Sequence, residues 1–305
     1  MNALIQSLVQ ANFAPERIIP LAPMSRYTTF RIGGPADTLV QIASEQEIVA
    51  VLKAARRADV PVTVVGNGSN LLVRDGGIRG LVLRIGSPFS SITREENCIR
   101  AKAGALLSSC AQFAQREGLE GMAELAGIPG TIGGGVIMNA GAYGGEMSQI
   151  VTRVHAIDVS SLKPVIFEGE GLSFSYRHSA MMDADVIVTE VEMELTPGNP
   201  DAIRLRMEEL ARMRREKQPL DMPSAGSTFK RPEGMFAAKM IDDCGLRGLS
   251  VGDAQVSEKH AGFVVNRGHA TARDVLQLMA QITVSVQEST GVRLEPEVRI
   301  LGEDA

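Results

Sequence analysis

The sequence predicts an α+β chain of at least two domains, on three observations. Short apolar runs with the two-residue period of strands outnumber the amphipathic helical stretches. The 305 residues exceed one ordinary domain. The 31 glycines gather in blocks attached to strand-like runs instead of scattering. Taken in order, residues 38–42 read as a strand. Ser44 with Glu47 forms a capping signal for a helix whose Ile48, Val51, Leu52 and Ala55 make one apolar stripe, with Arg56 and Arg57 in the last turn. Val62-Thr63-Val64-Val65 follows Pro61 as a second strand, completing a βαβ unit. Strand-like runs continue at 71–73, 78–85 and 98–103, and residues 105–117 read as a helix ended by Gly118. After a glycine-rich stretch over 118–145, strands resume at 150–159, 164–168 and 185–196. Pro197-Gly198-Asn199-Pro200 is the boundary signal and opens a helix over 201–217 with Ile203, Met207, Leu210 and Met213 on one face. A last helix spans 272–290, capped by Thr271 with Asp274 and stopped by Gly291, before a strand at 298–301.

Composition narrows the function classes. With 44% hydrophobic and 22% charged residues, the chain is neither disordered, collagenous nor coiled coil. No apolar run approaches the ~20 residues of a membrane helix, and the first residues lack the pattern of a secretory signal. A net charge of -5 argues against a general nucleic-acid surface. The cysteines, Cys98, Cys110 and Cys244, are odd in number and show no paired spacing, so a reduced, cytoplasmic protein is expected. Three tyrosines, nine phenylalanines and no tryptophan imply a ligand not held mainly by aromatic stacking.

Two glycine blocks carry most of the chemistry. Gly66-Asn67-Gly68-Ser69-Asn70 follows the strand at 62–65, so its amides can face a phosphate; the same loop also reads as a tight turn between buried strands. It lacks the third glycine of a Rossmann fingerprint and the Lys of a P-loop. Residues 126–144 hold seven glycines in nineteen positions, among Ile, Val and Met. That entropy is spent only where backbone must approach something closely, and a flexible linker would be polar. Together the blocks suggest a dinucleotide laid across backbone. Arg177 in Tyr176-Arg177-His178-Ser179 is either a solvated arginine at a strand start or a fork for a carboxylate. Ser227 in Ser224-Ala225-Gly226-Ser227 sits on a small-residue turn with Lys230 nearby, and no nucleophile elbow surrounds it. Glu295 and Glu297 alternate around Pro296, as a solvated strand end would. The four histidines show no metal-ligand spacing.

In this order, Thr29-Phe30-Arg31-Ile32-Gly33-Gly34, VVGNGSNLLV, AGIPGTIGGGVIMNAGAYG, Tyr176-Arg177-His178-Ser179, AGSTFKRP and LEPEVR resemble the UDP-N-acetylenolpyruvoylglucosamine reductase family over residues 24 to 302. The short spacing from Arg177 to Ser227 is similar to the family's second type, which lacks an inserted loop whose tyrosine covers the substrate. FSYRHS departs from the frequent FGYRDS form at Ser175 and His178. The resemblance implies an FAD-binding fold of the vanillyl-alcohol-oxidase type over 1–197, with subdomains 1–88 and 89–197 and a core from about 32. A C-terminal α+β substrate-binding domain over 198–305 would follow. It implies a cytoplasmic flavoprotein of peptidoglycan synthesis, monomeric or weakly oligomeric, with non-covalent FAD, NADPH as co-substrate and a nucleotide-sugar substrate, and with no nucleic-acid, membrane or metal partner.

Carried over residue by residue, the resemblance makes Arg177, Ser227 and Glu297 catalytic: an anchor for the enolate, the proton donor, and a carboxyl partner of the substrate. Gly66, Asn67, Gly68, Ser69, Asn70, Gly127, Pro129, Gly130, Thr131, Gly133, Gly134, Asn139, Gly141 and Ala142 would hold FAD. Tyr176, Arg214, Lys217, Lys230 and His260 would bind substrate. The alternatives are a flavin oxidase or dehydrogenase of the same fold and a non-catalytic FAD- or nucleotide-binding homologue. The three reactive residues argue against the second, and the absence of His or Cys from both glycine loops argues against a tethered-flavin oxidase.

Overall fold

The computed structural model describes Ile5, Gln6, Leu8 and residues 13–305. The chain forms two compact units. The first takes 1–19, 39–67 and 81–213; the second takes 20–38, 68–80 and 214–305.

The first unit is built on a five-stranded antiparallel sheet in the order Pro164–Glu168, Val151–Asp158, Val186–Glu194, Cys98–Lys102, Ile92–Glu95. Its strands alternate. Ile99, Ala101, Val154, Val191 and Met193 face a core shared with Ile48, Val51, Leu83, Leu107 and Val136. Arg100, Lys102, Arg153, His155, Glu190 and Glu192 stand on the other face, where cross-strand register makes a ladder of opposite charges. The helix Glu45–Arg57 begins as expected, with the Ser44 side chain accepting from Glu47 N at 3.2 Å, a cap of roughly 1 kcal/mol. The Glu47 carboxylate, however, reaches Ala43 N and the Arg17 guanidinium, so the capping box is not closed on Ser44.

A four-stranded sheet runs in the order Ile18–Pro23, Pro35–Ile42, Ile78–Ile85, Val62–Val65. The expected βαβ unit is therefore interrupted: Ile78–Ile85 lies between its two strands and pairs in parallel with Val62–Val65.

The second unit has a four-stranded antiparallel sheet in the order Ser224–Ser227, Phe263–Asn266, Ala254–Val256, Ser250–Val251. Val275, Leu278, Met279, Ile282 and Val286 of the helix Ala272–Thr290 pack in one core with Ala225, Val256, Val264, Met240 and Ile241. Thr271 and Asp274 close a capping box on this helix, Gly291 ends it at φ +74°, and the Asp75 carboxylate accepts from Ala272 N and Arg273 N at 2.8 and 3.0 Å. Leu71–Val73 and Arg299–Leu301 form a parallel pair.

The domain boundaries differ from those expected. The units divide after Met213, not before Gly198, because most of the helix Pro200–Lys217 stays with the first unit. Met207 packs on its core, Arg206 pairs with Glu124 at 3.1 Å, and the Pro200 carbonyl accepts from Gln115. Residues on both sides of 88/89 share one buried cluster, so no subdomain boundary falls there. Two earlier segments join the second unit: in 20–38, Thr29 Oγ1 donates to Ser224 O at 2.7 Å and Phe30 O accepts from Asn266 Nδ2 at 3.2 Å, and in 68–80 Asp75 holds the start of the helix Ala272–Thr290. All three cysteines are free thiols; burial pushes Cys110 up to about 12.

Candidate active site

In the first unit the two glycine blocks interlock. A Cβ on Gly66 would stand 2.5 Å from Thr131 Oγ1, and Asn67 Nδ2 donates to Pro129 O at 2.6 Å. Glycine at 66 is thus required by close approach of the second block. Within that block, residues 132–137 form a short helix instead of the loop expected from three consecutive glycines. Burial overrides propensity there: Ile132 and Val136 are buried, and Gly133 and Gly135 lie against Ala103 and Leu107.

This helix changes how the glycines are read. Gly133 N donates to Ala103 O at 2.9 Å, Ile132 N to Ala105 O at 2.7 Å and Gly135 N to Thr131 O at 2.7 Å. Those amides are consumed internally and do not face a phosphate, contrary to the picture of amides directed at a pyrophosphate all along the block. A Cβ on Gly133 would collide with Ala103 at 2.9 Å, so that glycine serves packing. Gly134 is the opposite case. It is exposed, and a Cβ there meets only Thr131 Oγ1 at 3.4 Å. In the loops flanking the helix, Gly127 and Pro129 are exposed and Gly130, Gly141 and Ala142 half-buried.

Non-glycine residues with positive φ cluster here: Asn139 at +41°, Tyr143 at +53°, Ser173 at +44° and Arg177 at +56°. Such backbone costs roughly 1–3 kcal/mol per residue and persists only where surroundings over-determine it. Arg177 sits third in a tight turn closed by Ser175 N to His178 O at 3.1 Å and His178 N to Ser175 O at 3.2 Å, not at a strand start. Its guanidinium lies 5.1 Å from the centroid of the Tyr176 ring. Asn139, only 1% exposed, donates from Nδ2 to Ser175 O at 3.0 Å and accepts from Ser148 N at 2.9 Å. Ser179, fully buried, donates to Ile137 O at 2.9 Å. The Asn139 amide is therefore used to tie the glycine block to the Arg177 turn, which differs from a side chain offered to a cofactor. His178, where the resembling family has Asp, pairs with Asp183 at 2.8 Å.

In the second unit, Gly68 holds φ +66° with its Cβ direction closed by the Tyr27 carbonyl, and Ser69 beside it is half-buried. Asn70 Nδ2 donates to Glu297 O at 3.1 Å while Asn70 O accepts from Arg299 N at 2.9 Å, so this side chain positions the Glu297 segment. Glu297 N donates in turn to Thr228 O at 2.9 Å, which sets residue 297 beside the end of the Ser227 strand. That strand is bulged: Ser224 opposes Val265 but Ser227 opposes Phe263, with the extra residue taken up around Gly226 at φ +77°. A bulge re-aims the following side chain, here Ser227. Lys230, half-exposed, pairs with Glu295 at 3.2 Å. His260 accepts from Gly262 N at 3.2 Å and meets Phe263 edge-on at 5.0 Å; burial, with Arg247 adding to it, lowers its pKa, so it is a neutral polar group near pH 7. Arg214 is half-buried and Lys217 exposed at the end of the helix Pro200–Lys217.

One cluster escaped sequence reading. His155, Glu190 and Glu192 bring ligand atoms within 4.8 Å of one another, through sheet register that linear spacing does not reveal. Lys102 at 2.9 Å from Glu190 and Arg153 at 3.5 Å from the buried Glu192 already neutralise the carboxylates.

A family model described as FAD binding domain matches residues 36–161, and one described as UDP-N-acetylenolpyruvoylglucosamine reductase, C-terminal domain, matches 218–301. The reductase of Agathobacter rectalis is 49% identical over 92% of this chain and 93% of its own length. The chain belongs to the UDP-N-acetylenolpyruvoylglucosamine reductase family. The Clostridium novyi reductase is 46% identical across 100% of this chain and 97% of its own. The crystal structure of UDP-N-acetylenolpyruvylglucosamine reductase from Thermus caldophilus superimposes with TM-score 0.79 at 36% identity, covering 93% of this chain and 98% of that one. The α+β fold class, an FAD-binding region followed by the reductase C-terminal domain, is the one expected.

Proposed function

We propose that the chain reduces UDP-N-acetylenolpyruvoylglucosamine to UDP-N-acetylmuramate for peptidoglycan synthesis, with FAD held non-covalently by the first unit and NADPH as reductant. The near full-length family likeness carries this reading, and the exposed, uncrowded Gly134 supports the cofactor's place. FAD, when bound, carries hydride from NADPH to the terminal carbon of the substrate's double bond. The chain's own residues handle the charge and the proton. As negative charge builds on the substrate carboxylate, the Arg177 guanidinium offers a planar pair of donors; one such donor fixed in advance is worth roughly 3 kcal/mol in the transition state. The tethers from Asn139 and Ser179 hold it at constant geometry, so little reorganisation is needed. Ser227, aimed by the bulge, donates the proton to the α-carbon. Glu297, held beside Thr228, acts on the substrate carboxylate directly or through a neighbour.

Tyr176, Arg214, Lys217, Lys230 and His260 are assigned to substrate on the same reading. A monomer in the cytoplasm is part of the proposal; among the described residues no helix is long and apolar enough to cross a membrane. The test is optical. Under argon, NADPH should bleach the yellow protein, and one equivalent of the enolpyruvyl nucleotide should restore the colour with formation of the lactyl ether. Recolouring by air as fast as by the nucleotide would favour an oxidase instead.

A further inference from the structure

In the second unit the segment that carries Glu297 is laid down along a continuous hydrogen-bonded seam. Residues 299–301 pair in parallel with 71–73. Beyond them Arg74 N donates to Leu301 O at 2.8 Å, Gly76 N to Glu303 O at 2.9 Å and Glu303 N to Gly77 O at 2.9 Å. Gly302 turns the segment at φ +86°, its Cβ direction closed by the Gly77 carbonyl, and Arg74 pairs with Asp304. The other end of the seam is Asn70. Arg299 N donates to Asn70 O at 2.9 Å, and in a parallel ladder the next bond would run from the Asn70 main-chain amide to Glu297 O. The Asn70 side chain makes that bond instead, Nδ2 to Glu297 O at 3.1 Å. The ladder thus gains one step while the main chain at 70 is already in the turn of the glycine loop.

The other holds on this stretch are main chain to main chain. Glu297 N donates to Thr228 O and Lys230 N donates to Glu295 O, both at 2.9 Å. Pro296 has no N–H to give. Leu294 and Val298 are buried in one core with Leu72, whereas Glu295 and Pro296 are exposed, so 295–297 arches between two buried anchors. At residue 297 the N–H is held by Thr228 and the C=O by Asn70. With both flanking peptide planes fixed, φ and ψ are set, and the direction of the Cα–Cβ bond follows from them. Removing the Asn70 amide frees one plane and leaves the other in place.

We propose that Asn70 is a positioning residue of the second half-reaction: its side-chain amide sets the direction in which Glu297 presents its carboxyl, and the seam over 299–304 holds the two in register. The assignment rests on the reading that Glu297 acts on substrate. It gives the Asn70 side chain a task in substrate reduction in place of the cofactor contact that the family resemblance implied.

The test follows both half-reactions by stopped-flow absorbance in flavin-loaded protein. Asn70→Ala should slow reoxidation by the enolpyruvyl nucleotide about 10–100-fold more than it slows bleaching by NADPH, the order expected when a reacting group is displaced by about 1 Å. Asn70→Asp, equal in size but with an acceptor where the donor stood, should show the same split. The flavin-to-protein ratio and melting temperature of each variant verify folding. A double-mutant cycle then asks whether the effect passes through Glu297: in a Glu297→Ala background, Asn70→Ala should change reoxidation by less than about twofold. Equal slowing of the two half-reactions, or an undiminished effect of Asn70→Ala in that background, overturns the positioning role. Loss of flavin from both Asn70 variants would put the side chain with the cofactor and overturn it too. If Glu297→Ala slows reoxidation and Asn70→Ala does not, the assignment of Glu297 stands and that of Asn70 falls. If Glu297→Ala reoxidises at the parent's rate, the reading of Glu297 fails and takes the proposal with it.

Discussion

Arg177 and Ser227 are presented by the same device, a residue with positive φ, but the strain sits in different places. At Arg177 the proposed carboxylate anchor itself holds φ +56°, and three sets of bonds fix it: the turn's own pair, Asn139 to Ser175, and Ser179 to Ile137. At Ser227 the neighbouring Gly226 takes φ +77°, with nothing within 4 Å of where its Cβ would be. The contrast has a physical reason. A side chain that must stay rigid while charge develops is best pinned, and pinning can hold a strained conformation. A proton donor needs only direction, which a glycine bulge supplies without strain.

The largest effect should come from the bulge. Ser227→Ala should leave FAD content and bleaching by NADPH near the parent's, while reoxidation by the enolpyruvyl nucleotide falls roughly 10²–10⁴-fold, the loss expected for a positioned general acid. Ser227→Cys should recover part of it. Stopped-flow absorbance reads both half-reactions, and equal slowing of the two would make Ser227 structural.

Next in size is a contrast inside the glycine block. Gly134→Val should yield folded protein without flavin, because only the space proposed for the cofactor is filled. Gly133→Ala should instead lower the melting temperature, since its Cβ meets Ala103 at 2.9 Å. Flavin retained in folded Gly134→Val would move the cofactor elsewhere. Parent flavin should pass wholly into the supernatant on acid precipitation, as a non-covalent group must.

The pinning at Arg177 is tested by Asn139→Ala. It removes the partner of the half-buried Ser148 amide and of the Ser175 carbonyl, whose residue is exposed, and should cost about 1–3 kcal/mol of stability. Reoxidation should slow more than bleaching, because the loosened turn carries the residue that meets the carboxylate. Denaturant melts with half-reaction rates decide it: equal slowing would reduce Asn139 to a scaffold. Gly226→Ala should be smaller in stability, about 1–2 kcal/mol for an L residue forced left-handed. It should still slow reoxidation by turning Ser227 aside, and unimpaired reoxidation would deny the bulge its aiming role.

The smallest effect is pH-dependent. His260 has its pKa lowered from 6.5 by burial, so below pH 6.5 the unfolded chain binds a proton the folded one resists. Its contribution to stability is thus complete above 6.5 and is lost as pH falls below it, towards the lowered folded value. His260→Gln should flatten the melting-temperature profile below pH 6.5; an unchanged slope would mean that the ring is solvated.

Periodicity and caps made several elements legible. The helix Ala272–Thr290 and the strands Val62–Val65, Ile78–Ile85 and Pro164–Glu168 lie where the pattern put them, because each shows its period and its stop signal within its own length. Not legible were the helix Ile132–Ile137, whose glycines vote against it, and the helix Ala237–Asp243, too short to show a period. The strand order was equally hidden, since Ile78–Ile85 enters between two strands that local sequence joins as neighbours.

The chain's motifs alone, read against a family they resemble, determined the fold class and the flavin cofactor and proposed three reactive residues, because chemistry demands particular residue types in a particular order. Tertiary structure alone decided what each glycine is for. Gly133 and Gly134 are identical and adjacent in sequence, yet a Cβ on one would collide with a buried alanine at 2.9 Å and on the other would meet only Thr131 Oγ1 at 3.4 Å. It decided likewise that the amides of Asn139 and Asn70 are spent as internal tethers, and that His155 stands with Glu190 and Glu192. Each of these depends on what approaches from a distant part of the chain, and neither composition nor spacing encodes that approach.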